Sequence, residues 1–184
     1  MEKKSKNRAN QLAKEYMVTA LMQLLKEKPL SSISVSELTR RAGVSRMTYY
    51  RNYSRKEDIF VSYLGDIIAD YNEDFRDLPQ KGMYYDYKNL LHCFCYFKAH
   101  KDFISSVFQC GMGHVLLQGL SEYILKTWHH RKEDKEEYYT LQAFAGSLYH
   151  VYISWLINEV DQTPEEMATI LNRIYRRGKL NPVN

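Results

Sequence analysis

The chain has few of the residues that build disulfide-linked or turn-rich proteins. Among its 184 residues there are three cysteines, four prolines and eight glycines. The odd cysteine count argues against a disulfide framework, and Cys93 and Cys95 lack the spacing of paired zinc ligands. Scarce proline and glycine favour long helices over sheet. We therefore expect an all-helical fold with reduced, mostly buried thiols, and treat a redox-sensing Cys93–Cys95 pair as a lesser alternative.

Long apolar runs and a secretory signal are also missing. No stretch approaches the roughly 20 apolar residues that span a bilayer, and the charged N-terminus lacks the apolar core of a signal peptide. We predict a cytoplasmic protein with no membrane partner. The six histidines include no i, i+4 pair, so neither a metal site nor another cofactor is expected. No nucleophile–base pair or glycine-rich phosphate loop indicates an enzyme.

Positive charge is concentrated at the start of the chain. Residues 1–58 contain 13 Lys/Arg against 6 Asp/Glu, a net charge of +7, whereas the remaining residues contain 13 against 16, a net charge of −3. Such a segment favours a polyanionic partner. A solvated tail at Lys3, Lys4, Lys6 and Arg8 contributes only four of the thirteen positive charges.

The basic segment contains the signals of two short helices joined by a tight turn. Ser34 and Glu37 form a predicted capping box at the start of the first. Gly43 stands where that helix would end, and Ser45 is a predicted cap of the second. The unit, over about residues 34–53, has the proportions of a helix-turn-helix. On spacing alone, an ordinary helical hairpin with basic solvated faces fits equally well.

Apolar periodicity predicts further helices, about nine in all. Capping boxes are predicted at Ser54 with Glu57 and at Thr163 with Glu166. Residues 80–82 are predicted to form a loop. The helices outside the short pair are expected over about residues 7–28, 54–79, 85–99, 101–109, 114–130, 136–159 and 163–177.

The second short helix carries side chains suited to DNA. Arg46 and Arg51 can contact guanine edges or phosphates, Asn52 can pair with adenine, and Met47 can contact a thymine methyl group. Candidate phosphate donors, which fix register without reading sequence, are Ser45, Thr48, Tyr50 and Lys56.

Residues 33–59 resemble the DNA-binding head of the tetracycline-repressor (TetR) family. The features that carry the resemblance are Ala-Gly-Val-Ser at residues 42–45, Thr-Tyr-Tyr at 48–50 and Lys-Glu-Asp-Ile at 56–59. The match covers roughly residues 8–65 and strongly disfavours the hairpin alternative. It implies a third helix that enters the major groove.

The resemblance also implies roles for individual residues. It implies base-edge contacts for Arg46 and Met47, with Asn52 as a further candidate. The Tyr49 ring is expected to be buried. Met47, Arg51 and Asn52 depart from the small residue and the His-Tyr pair common in the family, so the operator sequence does not follow. Phosphate contacts are implied for Ser34, Thr48, Tyr50 and Lys56.

Residues 144–157 and 163–168 resemble, more loosely, the C-terminal region of a Gram-positive branch of this family. The resemblance covers about residues 140–172 and implies a homodimer in which the last two long helices pack against their symmetry mates. Gly146 would allow close helix approach, and a two-fold dimer suits a palindromic operator. The alternative is that these residues only fill the core of the monomer.

The resemblance divides the chain into a three-helix DNA-binding head (1–58) and a helical bundle for ligand sensing and dimerisation (59–184). Bodies of this family usually hold a small-molecule pocket, although aromatic residues at helical spacing are more often core. The expected effector is unidentified. His92 and His150 are the candidate polar anchors, and the candidate aromatic lining is Phe94, Phe97, Phe103, Phe108, Tyr123, Trp128, Tyr139 and Phe144.

Together, these expectations predict a sequence-specific transcriptional regulator that binds double-stranded DNA. The favoured mechanism is repression by occupancy of a palindromic operator, with release by a small-molecule effector. The alternative is a coactivator or interaction module that keeps the head but acts through a partner regulator.

Overall fold

A computed structural model describes residues 2–75, 82–157 and 161–178, and over these residues the chain forms nine α-helices. Within these segments no strand occurs, as the sparse proline and glycine predicted. The helices are α1 (Glu2–Leu25), α2 (Val35–Ala42), α3 (Arg46–Asn52), α4 (Glu57–Phe75), α5 (Tyr87–Ala99), α6 (Lys101–Gln109), α7 (Gly113–Trp128), α8 (Lys135–Ile157) and α9 (Pro164–Gly178).

The helix boundaries differ from the predicted ones mainly at α1. This helix begins at Glu2 instead of residue 7 and ends at Leu25, after which the backbone of residues 26–28 forms a turn. A short 3₁₀ helix, Leu30–Ser32, then leads into α2. The predicted end of the fourth helix at Pro79, the loop at Gln80 and Lys81, and the last residues of the predicted 136–159 helix lie outside the described residues.

The start of α2 uses only half of the predicted capping box. The Ser34 hydroxyl accepts a hydrogen bond from the Glu37 amide at 3.2 Å. The Glu37 carboxylate, however, binds Lys28 Nζ at 2.7 Å through both oxygens instead of reaching back to Ser34. The hydrogen bond from Lys28 lowers the pKa of the Glu37 carboxyl. A charged partner from the turn after α1 therefore replaces the second bond of the box.

The turn between α2 and α3 is as predicted. Gly43 adopts the left-handed conformation at φ 66°, where a side chain would be strained. Ser45 then caps α3, since its hydroxyl accepts from the Thr48 amide at 3.1 Å. These two residues set the angle at which α3 leaves α2.

The predicted cap of α4 was wrong. The helix begins at Glu57, and the Asp58 carboxylate accepts from the amides of Ser54 and Arg55 at 2.9 and 2.8 Å. A carboxylate accepts hydrogen bonds from backbone amides more strongly than a serine hydroxyl does, so Asp58 and not Ser54 stabilises the start of this helix. By contrast, the box at the start of α9 is confirmed in both directions, between Thr163 and Glu166.

The core runs continuously from the first helices into the bundle. α1 packs against α2 and α4, α5 packs against α9, and α7 packs against α8. Because α4 contacts both α1 and α7, it links the N-terminal helices to the body, and a smaller contact between α1 and α6 does the same. The largest fully buried side chains include Met17, Leu21, Leu24, Ile33, Leu38, Tyr49, Ile59, Phe60, Ile67, Leu90, Phe94 and Phe144.

Two further features concern possible partners. In the segments described, no helix has the length and apolar character needed to cross a lipid bilayer. Among the same residues, no group of three His, Cys, Asp or Glu side chains is placed to hold a metal ion.

Candidate nucleic-acid interface and internal cavity

Helix α3 presents an exposed face that is both basic and apolar. Met47 is 77% exposed and Tyr50 is 60% exposed, which are high values for large side chains of this kind. Arg46 and Arg51 on the same helix are also exposed. The face that the sequence predicted for base contacts is therefore accessible, and it combines cationic, aromatic and thioether groups that can reach groove edges and phosphates.

Tyr49 anchors this helix from its other side. Its side chain is only 1% exposed, as predicted, and its ring lies 5.1 Å from that of Tyr50 and 5.9 Å from that of Tyr53. Burial raises the pKa of the Tyr49 hydroxyl. The buried ring fixes the rotation of α3 about its axis and so determines which residues face outward.

A groove of about 580 Å³ lies along α2, the turn after it and the start of α3. Ser34 and Arg46 line it, and both are exposed. Arg40, which the sequence reasoning did not single out, also lines the groove and adds a cation. Ser45 is exposed at the start of α3, with its hydroxyl 2.9 Å from that of half-buried Thr48. Hydroxyls and amides at two helix N-termini beside arginines suit contact with phosphate.

Two of the predicted DNA-contact residues are occupied inside the protein. Lys56 Nζ donates to the carbonyl oxygens of Leu30 and Ile33 at 2.6 and 2.5 Å. Asn52 donates to the Asn10 side chain at 3.0 Å and to the Thr48 carbonyl at 2.8 Å. Both predictions treated the side chain as free to contact DNA, whereas carbonyl or amide oxygens of the protein already accept its hydrogen bonds. Their contacts fix the position of α3, whereas Ser34, Ser45, Arg46, Met47, Tyr50 and Arg51 stay exposed.

Replacing Lys56 by alanine is expected to lower the free energy of unfolding by about 2 kcal/mol, because two carbonyls would lose a charged donor. Urea denaturation at pH 7 measures this change. Arg51→Ala is the matched control, since its exposed side chain should change stability by less than about 0.5 kcal/mol. If Lys56→Ala unfolds like the parent while only DNA affinity falls, the lysine acts on phosphate instead.

The body encloses an apolar cavity of about 60 Å³ between α4, α5, α6, α7 and α8. A second cavity of about 20 Å³ lies beside it. No charged side chain lines either one. The first is lined by Leu64, Ile68, Tyr71, Cys93, Phe97, Ile104, Leu116, Leu120, Tyr123, Leu148, Tyr149, Tyr152 and Ile153.

Only part of the predicted aromatic lining reaches these cavities. Phe97 and Tyr123 line both, whereas Trp128 and Phe144 line only the smaller one. Aliphatic residues of α4 and α7 and tyrosines of α8 make up much of the rest, and the sequence reasoning missed them. Helical spacing alone did not reveal them, because aliphatic residues of this kind also form ordinary core.

Other predicted lining residues lie elsewhere. Phe94 packs edge-on against Trp155 at 5.4 Å, and Phe103 packs against Tyr63 at 4.8 Å, so both belong to the core. Phe108 and Tyr139 are 36% and 67% exposed. None of these four residues lines either cavity, because their helices turn the rings away from it.

Neither histidine is a polar anchor of the cavity. His150 is exposed on the outer side of α8. His92 does not line the cavity and stacks against the Tyr71 ring at 4.8 Å, and burial lowers the pKa of its imidazole. The polar groups at the cavity are instead tyrosine hydroxyls and the Cys93 thiol.

The three thiols differ in exposure. Cys93 is buried, Cys110 is half-buried and Cys95 is exposed, so the expectation of mostly buried cysteines fails for Cys95. Since Cys93 and Cys95 are two residues apart on α5, their side chains lie on different sides of the helix.

Comparison with known sequences identifies both halves of the chain. Residues 18–63 match the family described as "Bacterial regulatory proteins, tetR family". Residues 87–177 match a family described as "Transcriptional regulator C-terminal region". The search of curated proteins finds no significant match.

Solved structures share the fold at low sequence identity. Lin0861 from Listeria innocua superposes with a TM-score of 0.74 at 14% identity, over 91% of each chain. The dihydroxyacetone kinase operon activator DhaS has a TM-score of 0.62 at 18% identity, over 91% of this chain and 97% of its own. The transcriptional regulator FadR from Bacillus subtilis, solved with stearoyl-CoA, has a TM-score of 0.56 at 15% identity, over 87% of this chain and 96% of its own.

The two sequence matches agree with the geometry of the exposed α3 and of the helical body behind it. The match at residues 18–63 contains the whole helix-turn-helix unit from Ser34 to Tyr53. The second match covers α5 to α9 apart from the last residue of α9. The chain belongs to the tetR family of bacterial regulatory proteins and is a DNA-binding transcriptional regulator.

Proposed function

We propose that the protein is a cytoplasmic, ligand-responsive repressor that binds a palindromic operator as a homodimer. The observation that carries the proposal is the position of α4. Four residues separate this helix from the end of α3, and its residues Leu64, Ile68 and Tyr71 line the cavity. A ligand that moves α4 would therefore also change the orientation of α3.

Base reading in this proposal is assigned to Arg46 and Met47. Their side chains are exposed at the start of α3, and the N-terminal residues of a recognition helix are the ones that reach base edges. Phosphate contacts are assigned to Ser34, Ser45 and Tyr50. Arg51, exposed at the end of the helix, can contact a flanking phosphate.

An exposed, mainly apolar stripe supports the dimer. On α8 the outward residues Tyr139, Ala143, Gly146, His150 and Ile157 recur at intervals that place them on one helical face. On α9, Ile170 is 43% exposed and Ile174 is 56% exposed. Large apolar side chains exposed together mark an association surface. A second copy, related by a two-fold axis, would cover the stripe and place two α3 helices on successive half-sites.

Release of the operator follows from differential affinity. A ligand that needs a larger cavity binds better to the conformation in which α4 has moved, and it shifts the population toward that conformation. The structure of FadR from Bacillus subtilis in complex with stearoyl-CoA supports the view that this fold can hold an effector.

Selection of bound fragments from genomic DNA with the purified protein tests the proposal. We expect a palindromic site whose half-sites lie about one helical turn apart, with contact centres separated by about 34 Å. Deleting the gene should raise transcription from that site. A fall in transcription would indicate activation, the activity named for DhaS. Absence of any protected site at low salt would contradict operator binding.

Gly146→Arg is expected to convert the dimer into a monomer. Nothing lies within 4 Å of a side-chain carbon placed at Gly146, so the monomer should fold normally. A charged arginine at the centre of the apolar stripe would remain unpaired in a dimer. We expect operator affinity to fall about 100-fold or more, because each monomer then binds its half-site alone and the gain from two linked heads is lost.

Light scattering after size exclusion measures the oligomeric state of this variant. Gly65→Arg is the matched control, because Gly65 is also helical and has nothing within 4 Å of the added carbon. The control should remain a dimer. A Gly146→Arg protein that is still a dimer would place the interface elsewhere.

A further inference from the structure

The two cavities of the body are divided by a shared wall. Six residues line both of them: Tyr71, Cys93, Phe97, Leu120, Tyr123 and Leu148. They come from α4, α5, α7 and α8, so the wall crosses the middle of the bundle. An apolar cavity of about 150 Å³ holds benzene, and neither cavity reaches that volume. A ligand must therefore displace this wall and join the two spaces into one elongated chamber.

The chemistry of the combined lining is mainly hydrocarbon and carries no charge. It contains no Asp, Glu, Lys, Arg or His. Burying an ion in such a site without a partner costs far more than burying a neutral group. Asn89, the amide in the smaller cavity, already donates to the Met83 carbonyl at 2.9 Å. The chamber thus contains no opposite charge that would compensate a carboxylate, a phosphate or an ammonium ion.

The Tyr123 hydroxyl is the hydrogen-bonding group of the wall whose proton has no acceptor. Its oxygen is buried and no described residue accepts a hydrogen bond from it, although the Tyr71 hydroxyl lies close enough to donate to it. The Tyr152 hydroxyl, in contrast, donates to the Phe97 carbonyl at 2.6 Å. Burial raises the pKa of Tyr123 to about 12 and that of Cys93 to about 12, so both groups keep their protons and can donate. Buried donors normally have an acceptor.

We propose that the effector is an uncharged, mainly hydrocarbon molecule with a carbonyl oxygen that accepts a hydrogen bond from Tyr123. The proposal rests on the ligand-responsive function above and names the chemical class of its ligand. The hydrocarbon part occupies the joined cavities between α4 and α7. Entry of such a molecule pushes Leu64 and Ile68, and hence α4, away from α7.

Calorimetric titration of the full chain with three probes at pH 7.5 tests this class. The probes are 2-octanone, which is neutral with an acceptor; octanoate, which is charged; and toluene, which is neutral without an acceptor. We expect 2-octanone to bind, and octanoate to bind at least about 100-fold more weakly because its charge is not compensated. Octanoate binding as tightly as the ketone, or undetectable ketone binding up to its solubility limit, would overturn the proposal.

Variants at two tyrosines locate the carbonyl. Tyr123→Phe should lower the affinity for 2-octanone about fivefold, the effect of one neutral hydrogen bond, and leave that for toluene unchanged. Tyr152→Phe, whose hydroxyl is already used within the protein, should leave the ratio of the two affinities unchanged. Equal loss of both probes in Tyr123→Phe, or the same ketone-specific loss in Tyr152→Phe, would remove Tyr123 from the site.

Operator release by 2-octanone separates this inference from the proposed function. If octanoate or another charged molecule binds the cavity and releases DNA, the ligand class is wrong and the ligand-responsive repressor stands. If the ketone binds with the expected dependence on Tyr123 and DNA stays bound, the chemical class stands and ligand-driven release fails.

Discussion

Replacing Arg46 and Tyr50 together by alanine is expected to lower operator affinity about 1,000-fold or more and to leave the fold intact. A bidentate arginine–base contact contributes about 1–3 kcal/mol, and a phosphate contact about 1 kcal/mol. In the proposed dimer both contributions are lost twice, once in each head. Gel-shift titration at fixed salt measures the affinity. In the same titration series, the slope of log affinity against log salt should change by less than about 1, because Arg46 is assigned to a base edge and Tyr50 carries no charge, so no phosphate-neutralising cation is lost.

The control for this variant addresses non-specific loss of structure. Tyr50 is 60% exposed, and Arg46 is exposed beside it, so urea denaturation should change by less than about 0.5 kcal/mol. A second double variant, Arg131→Ala with Tyr87→Ala, removes the same two side-chain types from exposed positions in the body. That protein should bind like the parent. If the Arg46/Tyr50 variant also footprints like the parent, α3 is not the reading helix.

The head was predictable because its signals are local. Ser34, Gly43 and Ser45 bond to residues at most four positions away, and each caps or ends its helix in the structure as its sequence context predicted. The buried ring of Tyr49 followed from the family resemblance and not from periodicity, since a single tyrosine at that position suits either face of a short helix.

Lys56 and Asn52 show where local reasoning fails in the head. The partners of Lys56 are carbonyls 23 and 26 residues earlier, and Asn52 reaches a side chain 42 residues earlier. Nothing in the neighbouring sequence states that a lysine near a recognition helix is turned inward. A prediction of phosphate contact therefore needs the position of α1 and of the turn before α2.

The cavity was less predictable than the head for a geometric reason. One residue along a helix rotates the side chain by about 100°. Tyr149 accordingly lines the cavity while its neighbour His150 faces outward, and Phe97 lines it while Phe94, three residues away, packs into the core against Trp155. Composition identifies an aromatic body, but the packing of five helices determines which rings surround the empty space.

Gly119→Leu is expected to weaken operator binding at least about tenfold without any effector. A side-chain carbon placed at Gly119 would lie 3.1 Å from Ile68 Cδ1 and 3.2 Å from Leu64 Cδ2, both on α4. Alanine is tolerated there if these flexible ends shift by a few tenths of an ångström. The larger leucine must push α4 away from α7, and overpacking of this kind costs about 1–3 kcal/mol. This strain destabilises the conformation in which α4 lies close to α7. It therefore favours the conformation in which α4 has moved away, which a bound ligand would also favour.

The comparison with Gly65→Leu separates a movement of α4 from a general effect of a new leucine. Gly65 lies on the exposed side of α4, and a side-chain carbon placed there has nothing within 4 Å, so this variant should bind the operator like the parent. Gly119→Ala should lie between the two. Light scattering must show that all three are dimers, because loss of the dimer would lower affinity by another route. A dimeric Gly119→Leu protein with parental affinity would mean that the contact between α4 and α7 does not determine how α3 is presented. The path from cavity to DNA would then have to run through α1 and α6, the other helices in contact near the base of the head.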